Sequence, residues 1–353
     1  MTQKSPLLIH QNILINAWEG ASLRAMTPAA SLASIAPAAG APALPILFKA
    51  LGDELRLQVL RLLKDESLNV SELCEVFQLK QSALSHHLKI LVQAKLLGRK
   101  KEGTVTFYRR EVPEGAQESL LAEVLRQIDT TALSPLLQRG LLRVQAVREQ
   151  HSRAFFRDNS ERLREQQELI ASWEDYSNAT LHLLERTDNL ADASVLEIGP
   201  GDGSLLPALA ERAGSVTGLD NSEEMLALAK ARTLRFENVV LVLGEAEGLL
   251  GDKRQFDVVI ANMVLHHTPD PAAMLRAAGQ LLTPGGRVII SELCAHDQLW
   301  AREHCGDLWL GFEAGQLSDW AHAAGLENRA ELFLAQRNGF QIQVRLFQKQ
   351  TNK

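Results

Sequence analysis

Between residues 46 and 66, Leu55, Val59, Leu62 and Leu63 recur at helical spacing behind Asp53, a residue suited to cap a helix. A second helix is predicted over 70–79 with Ser71 as its cap, and a third over 81–97. In the third, Leu84, Leu88 and Leu91 make an apolar stripe, while Ser82, Ser85, His86 and Lys89 fall at i, i+3, i+4 and i+7 on a polar one. His87 groups with Ala83, Ile90 and Ala94, beside the core stripe. "GRKKEGTVTFYRR" then reads as two strands around a Glu102-Gly103 turn. Three helices and a hairpin describe a winged helix-turn-helix, with the polar stripe of its third helix free to enter a major groove.

Residues 115–190 carry further helical patterns, including Leu121, Val124, Leu125 and Ile128, and Leu141, Val144 and Val147, interrupted at Pro135. From Ser194 the rhythm changes to strand–helix alternation. "SVLEI", "SVTGLD", "NVVLVL", "FDVVIAN" and "GRVIISEL" are the strands; helices follow at 205–213, 222–232 and 270–282. This is a doubly wound α/β pattern. Near the C-terminus, Asn338-Gly339 marks a turn and Phe340, Ile342, Val344 and Leu346 alternate, so the sheet is expected to close with an antiparallel hairpin. The expected organisation is a disordered Ala/Pro-rich leader over 1–44, a winged helix over 45–112, a helical dimerisation and linker segment over 113–190, and an α/β domain over 191–353.

Charge sharpens the first domain. The chain carries a net charge of −6, yet residues 80–110 hold eight basic residues against Glu102 alone, a surplus of seven, so the remainder sums to −13. Lys89, Arg99, Lys100 and Lys101 supply much of that surplus, the electrostatic footprint of a phosphate-binding patch. Three cysteines far apart (Cys74, Cys294, Cys305) argue against a disulfide framework and for a reducing, cytoplasmic setting. No apolar run approaches the ~20 residues that span a bilayer, so no membrane association is expected. Adjacent helical residues diverge by about 100°, so His86 and His87 are not expected to close on one metal.

"ALGDELRLQVLRLL", "SELCEVF" and "QSALSHHLKIL", followed by the basic hairpin, resemble the ArsR/SmtB family of bacterial repressors over residues 45–110. The resemblance implies binding of a palindromic double-stranded operator as a homodimer, with Ser82, Ser85, His86, Lys89, Arg99, Lys100 and Lys101 facing DNA. Flanking helices at 45–52 and 116–130 would form the dimer interface. One metal site of the family is a Cys-x-Cys pair on the second helix; here Cys74 is followed by Val76 in the second position, and no metal is expected.

The loop "EIGPGDGS" places Gly199, Gly201 and Gly203 after the first α/β strand, with Ser204 where a dinucleotide fingerprint has its third glycine. Together with Glu197, Asp220 closing the second strand and Glu245 after the third, it resembles class I S-adenosylmethionine-dependent methyltransferases over about residues 150–349. The resemblance implies S-adenosylmethionine or S-adenosylhomocysteine as ligand. Glu197 would lie near its ammonium, Asp220 would take the ribose hydroxyls, Glu245 the adenine amino group, and Asn262 is counted among the contacts.

After the fourth strand, "NMVLHHTPDP" offers His266 or His267 as a general base near ~6.5. The alternative is that one imidazole caps the strand end and the other bonds a loop carbonyl. Trp300, Trp309 and Phe312 line a pocket or pack the core. A DNA amino-methyltransferase would carry two prolines and an aromatic where Asn262-Met263-Val264-Leu265 stands, and no Pro-Cys occurs for cytosine-carbon methylation. Two functions remain: a transcription regulator that senses an S-adenosyl ligand, for which the resemblance to fusions of this architecture implies methionine-cycle genes, or a working small-molecule methyltransferase with an attached DNA-binding domain.

Overall fold

The computed structural model describes residues 14–15, 44–102, 104–111, 118–159, 168–252 and 254–351. These fall into two compact units: one extends to His151, and the other begins at Ser152 and includes the two-residue strand Leu14–Ile15 (β1). Apart from β1 and Leu44, the expected disordered leader lies outside the described residues.

In the first unit the periodic stretch over 46–66 is two helices, α1 (Leu44–Leu51) and α2 (Glu54–Leu62). Asp53 divides them: its carboxylate accepts from the Arg56 amide at 3.0 Å and starts α2. A short strand β2 (Leu68–Asn69) leads into α3 (Val70–Phe77), then α4 (Gln81–Gln93). The α3 cap is Asn69, which corrects the expectation of Ser71. Asn69 Oδ1 accepts from the Glu72 amide at 3.0 Å, and Glu72 Oε2 accepts from the Asn69 amide at 2.8 Å. Pairing of β2 with Tyr108 and Phe107 keeps Asn69 extended, so the helix opens there and Ser71 falls inside its first turn. The wing is β3 (Leu97–Glu102) against β4 (Val105–Arg110), with Lys100 opposite Phe107; its turn residue Gly103 lies outside the described residues. Then come α5 (Glu118–Asp129) and α6 (Pro135–Asn159), of which residues up to His151 belong to this unit. Leu47, Leu60, Leu73, Leu84, Leu88, Leu91, Leu121 and Leu125 share one core. Arg110 ties the wing to α5 through two bonds to the Asp129 carboxylate, at 2.7 and 3.0 Å.

The second unit contains α7 (Trp173–Leu184), β5 (Ser194–Ile198), α8 (Leu206–Ala210), β6 (Ser215–Asp220), α9 (Glu223–Thr233) and β7 (Val239–Leu243). After these run α10 (Ala246–Leu249), β8 (Phe256–Asn262), α11 (Pro271–Leu281), β9 (Leu282–Leu293), α12 (Trp300–Cys305), α13 (Ala314–Ala323), β10 (Leu326–Ala335) and β11 (Gln341–Lys349). The sheet order is β1-β10-β11-β9-β8-β5-β6-β7. Strands β7, β6, β5, β8 and β9 are mutually parallel, and β11 and β10 close the sheet antiparallel, as the Asn338-Gly339 turn predicted.

Successive residues of the central strands feed opposite cores, as a period of two demands. Val195, Val258, Ile260 and Ile289 pack with Leu183, Leu206 and Leu209 on one face. Leu196, Val259, Ala261, Val288 and Ile290 pack with Leu275, Leu281 and Leu317 on the other. One expected boundary differs here. Ile170, Ala171, Tyr176, Leu183 and Leu184 bury in the first of these cores, so the unit starts at Ser152 and takes in residues assigned to the linker. Amphipathic periodicity shows that a helix has an apolar face but not which core receives it. On β11 the alternate positions Gln343 and Arg345 are also buried. Gln343 donates to Phe312 O at 2.7 Å, and Arg345 donates to Ser318 Oγ at 2.9 Å and pairs with Glu331, so α13 roofs that side of the hairpin with polar contacts.

Candidate functional site

The direction of strand crossover reverses at β5, which lies between β6 and β8. Ligands in such sheets sit at the carboxyl ends of the strands on either side of this reversal. Glu197, the glycine loop, Asp220 and Asn262 all lie there. Gly199, Gly201 and Gly203 have φ of +65°, +54° and +75°, a conformation that favours glycine. Their roles differ. A Cβ on Gly199 would collide with the Val264 side chain, and one on Gly203 would come within 2.7 Å of the Ala229 backbone in α9. Gly201 faces open space among the described residues, so bare backbone is presented to whatever occupies the site. Asp202 is already engaged, by Ser204 at 2.6 Å and by Arg232 at 2.6 Å.

Glu197 is buried, and its Oε2 has no hydrogen-bond partner among the described residues. Burial raises its pKa to about 8; the Asn262 side chain works against that shift, while Asp202 and Asp220 add to it. Asn262 Oδ1 accepts from Thr180 Oγ1 at 3.0 Å, and Thr180 is also 2.7 Å from Ser291 Oγ. Thr180 comes from α7 and carries no sequence signal: its position depends on where that helix docks. Burial likewise lifts Asp220 to about 6, against backbone donors from Ser222, Gly201 and Asn221. Glu245 stands two residues beyond Leu243, the register partner of Asp220, and is exposed at the N-terminus of α10. Its carboxylate pairs with Arg153 of α6 at 3.1 Å.

The histidine pair after β8 occupies a short 3-10 turn, and both rings are buried. His266 Nδ1 lies 2.6 Å from Glu292 Oε1, and Glu292 Oε2 also accepts the His266 amide at 3.2 Å. His267 Nδ1 faces Gly306 O at 3.3 Å. The expectation of a base near neutrality is corrected in both cases. For His266, burial favours the neutral ring, but the Glu292 and Asp307 charges outweigh it and raise the pKa to about 9. His267 is held well below the usual range by burial and by the His266 charge. Its bond to Gly306 O is the loop-carbonyl alternative. Trp309 and Phe312 belong to the core, with Trp309 Nε1 donating to Thr268 O at 2.7 Å, while Trp300 is half-buried and donates to Gln298.

On α4, Ser82, Ser85, His86 and Lys89 are exposed, opposite buried Leu84, Leu88 and Leu91. Arg99, Lys100 and Lys101 are exposed on β3. His87 is half-buried, with Nδ1 3.3 Å from Asp53 Oδ1, so it braces α4 against the start of α2. Cys74 is half-buried and burial pushes its thiol up, away from the thiolate a metal requires.

Residues 163–342, half of the chain, match the sequence profile of the family described as methyltransferase domain. The chain belongs to that family. Residues 53–97 of this methyltransferase-domain protein match the arsR family of bacterial regulatory proteins, so an ArsR-type helix-turn-helix is fused to a class I methyltransferase fold. The ubiquinone biosynthesis O-methyltransferase of Pseudomonas aeruginosa (strain LESB58) is 32% identical over 171 residues, covering 43% of this chain and 72% of that protein. The same-named protein of Serratia proteamaculans (strain 568) is 33% identical over 121 residues, 34% of this chain and 50% of its own length. The chain thus spans about half the length of several curated relatives it matches. A solved putative methyltransferase from Haloferax volcanii, in complex with the Trm112 activator, aligns at a TM-score of 0.48 and 19% identity, covering 57% of this chain and 98% of that one. No helix among the described residues is long and apolar enough to cross a membrane.

Proposed function

We propose that the protein is a DNA-binding transcription regulator whose methyltransferase domain binds S-adenosylmethionine or S-adenosylhomocysteine. The observation that carries the ligand is Glu197: a buried carboxylate with an unpartnered oxygen is costly unless something supplies a donor. The α-ammonium shared by both S-adenosyl compounds is such a donor, and it would offset the penalty that lifts the Glu197 pKa. Asp220 takes the ribose hydroxyls, the Gly201 backbone admits the ligand closely, and Asn262 holds Glu197. Glu245, at the start of α10, accepts from the adenine amino group while keeping Arg153 as a neighbour.

The regulator reading rests on the exposed stripe Ser82, Ser85, His86 and Lys89 with the cationic wing, a surface that a free-standing methyltransferase does not need. The protein acts as a homodimer on a palindromic operator, and the methionine cycle is the field of genes it controls. Exposed Ile46 and Phe48 on α1 and Leu120 on α5 support a dimer interface built from these two helices. Active methylation of a small molecule is the second reading, favoured by relatives that carry the name O-methyltransferase.

The test separates the two sites. Titration calorimetry with S-adenosylhomocysteine and fluorescence anisotropy with operator DNA are run on the full chain and on Asp220→Ala. The variant should lose ligand binding and keep its operator affinity. Unchanged ligand affinity in Asp220→Ala would remove the proposed ligand site.

A further inference from the structure

Asp307 lies just beyond α12, buried to 3% exposure, and neither of its carboxylate oxygens has a hydrogen-bond partner among the described residues. It faces the His266–His267 pair: His266 Nε2 is 3.9 Å from Asp307 Oδ1. One ligand atom from each of His266, His267 and Asp307 lies within 4.8 Å of the other two. The protons on the imidazoles follow from their partners. Glu292, when ionised, and the Gly306 carbonyl only accept, so each Nδ1 carries a hydrogen and each Nε2 offers a lone pair when its ring is neutral; at His266 a cation takes the place of the proton that Glu292 and Asp307 favour there. An inward carboxylate with no donor among the described residues, beside two imidazoles each held through Nδ1, is the arrangement metal-binding histidines adopt.

We propose that His266, His267 and Asp307 form a binding site for a divalent first-row transition cation, with zinc the first choice. Two imidazole nitrogens and one carboxylate oxygen suit zinc and its neighbours far better than magnesium or calcium, which favour all-oxygen shells. Three protein ligands leave a fourth position for water or another oxygen donor. Metal–ligand bonds of about 2.0–2.1 Å in tetrahedral geometry place ligand atoms ~3.4 Å apart. The His266–Asp307 pair, at 3.9 Å, must therefore close by roughly half an ångström, and the widest pair of the set, within 4.8 Å, by up to about 1.4 Å. Glu292 is the outer partner that orients His266, and Phe156 packs edge-on against His267 with ring centroids 4.8 Å apart. Arg302 is the nearby cation that offsets Asp307. No motif spacing marks these ligands in the sequence, because α11, β9 and α12 all lie between His267 and Asp307.

The site is tested on untagged full-length protein, stripped with chelator and titrated with zinc against a chromophoric chelator, with bound metal counted by mass spectrometry. The expected result is one zinc per chain. Cobalt(II) should give the intense visible bands of a four- or five-coordinate site in the wild-type protein, a readout that needs no variant. Asp307→Asn, close in shape, and His267→Gln should each weaken zinc by at least tenfold while S-adenosylhomocysteine binding and circular dichroism report an intact fold. Glu292→Gln should cost about 10- to 100-fold through loss of orientation, and His304→Ala should change nothing. Absence of stoichiometric zinc in the wild type, or zinc affinity indifferent to Asp307→Asn, overturns the proposal.

Discussion

Glu197 is where a single residue has the most to reveal. Its pKa is raised from 4.5 to about 8, so between those values the unfolded chain releases a proton that the folded protein keeps. Stability conferred by this site therefore falls as pH rises from about 4.5 to about 8, and is level beyond that range. Ligand binding should run the other way, because an ammonium is held by the ionised carboxylate. Affinity for S-adenosylhomocysteine should climb by up to tenfold per pH unit between pH 6 and 7.5, then level off above about 8, where Glu197 is already ionised. Calorimetric titration across this range checks it. Glu197→Gln should abolish the climb as well as weaken binding, and a wild-type affinity that stays flat with pH would count against an ammonium at Glu197.

At the scale of elements, the DNA recognition we propose divides between α4 and the wing. Lys89 is one exposed cation among several, so Lys89→Ala should weaken binding to all DNA sequences and reduce the slope of log affinity against log salt by about one. His86 sits on the same exposed stripe with a ring that offers directional hydrogen bonds. His86→Ala should alter base preference by roughly 1–3 kcal/mol at one position of each half-site, leaving the salt slope nearly unchanged. Anisotropy titrations on operator and scrambled duplexes, over a series of salt concentrations, measure both. If His86→Ala keeps its affinity and sequence preference, the reading face is misassigned. His87 makes the contrasting control, since its imidazole is turned toward Asp53 and Arg56 rather than outward.

For the whole molecule the prediction is thermodynamic coupling between ligand and operator. Half-sites on DNA are about one helical turn apart, so a ligand-dependent change in the spacing of two recognition helices mismatches one of them. Helix α6 is the element through which we expect this to act, since it continues past His151 to Arg153, the partner of Glu245. A coupling of ~1–3 kcal/mol changes operator affinity about 5- to 150-fold, and reciprocity requires the same factor in ligand affinity when operator is present. Titration of S-adenosylhomocysteine with and without saturating operator measures it. Equal affinities in the two titrations would favour an independent methyltransferase.

Local chemistry made much of this readable from residues alone. The glycine loop, the Asp220 strand end and the polar stripe of α4 are set by backbone sterics and by the periods of helix and strand, which act over a few residues. The Asn338-Gly339 hairpin and the Asp53 cap are of the same kind. What lay beyond that reach was decided by packing at long range. Asn69 rather than Ser71 caps α3 because β2 pairs with a strand some forty residues away. Gln343 and Arg345 are buried because α13 covers them, although their alternation with apolar residues mimics a solvent face. Thr180 meets Asn262, and Asp307 meets the two histidines, only after α7 and the segment following α12 dock on the sheet. Burial and electrostatic environment are properties of the assembled core, so the pKa values that separate Glu197, His266 and His267 from their ordinary ranges exist only in the tertiary structure.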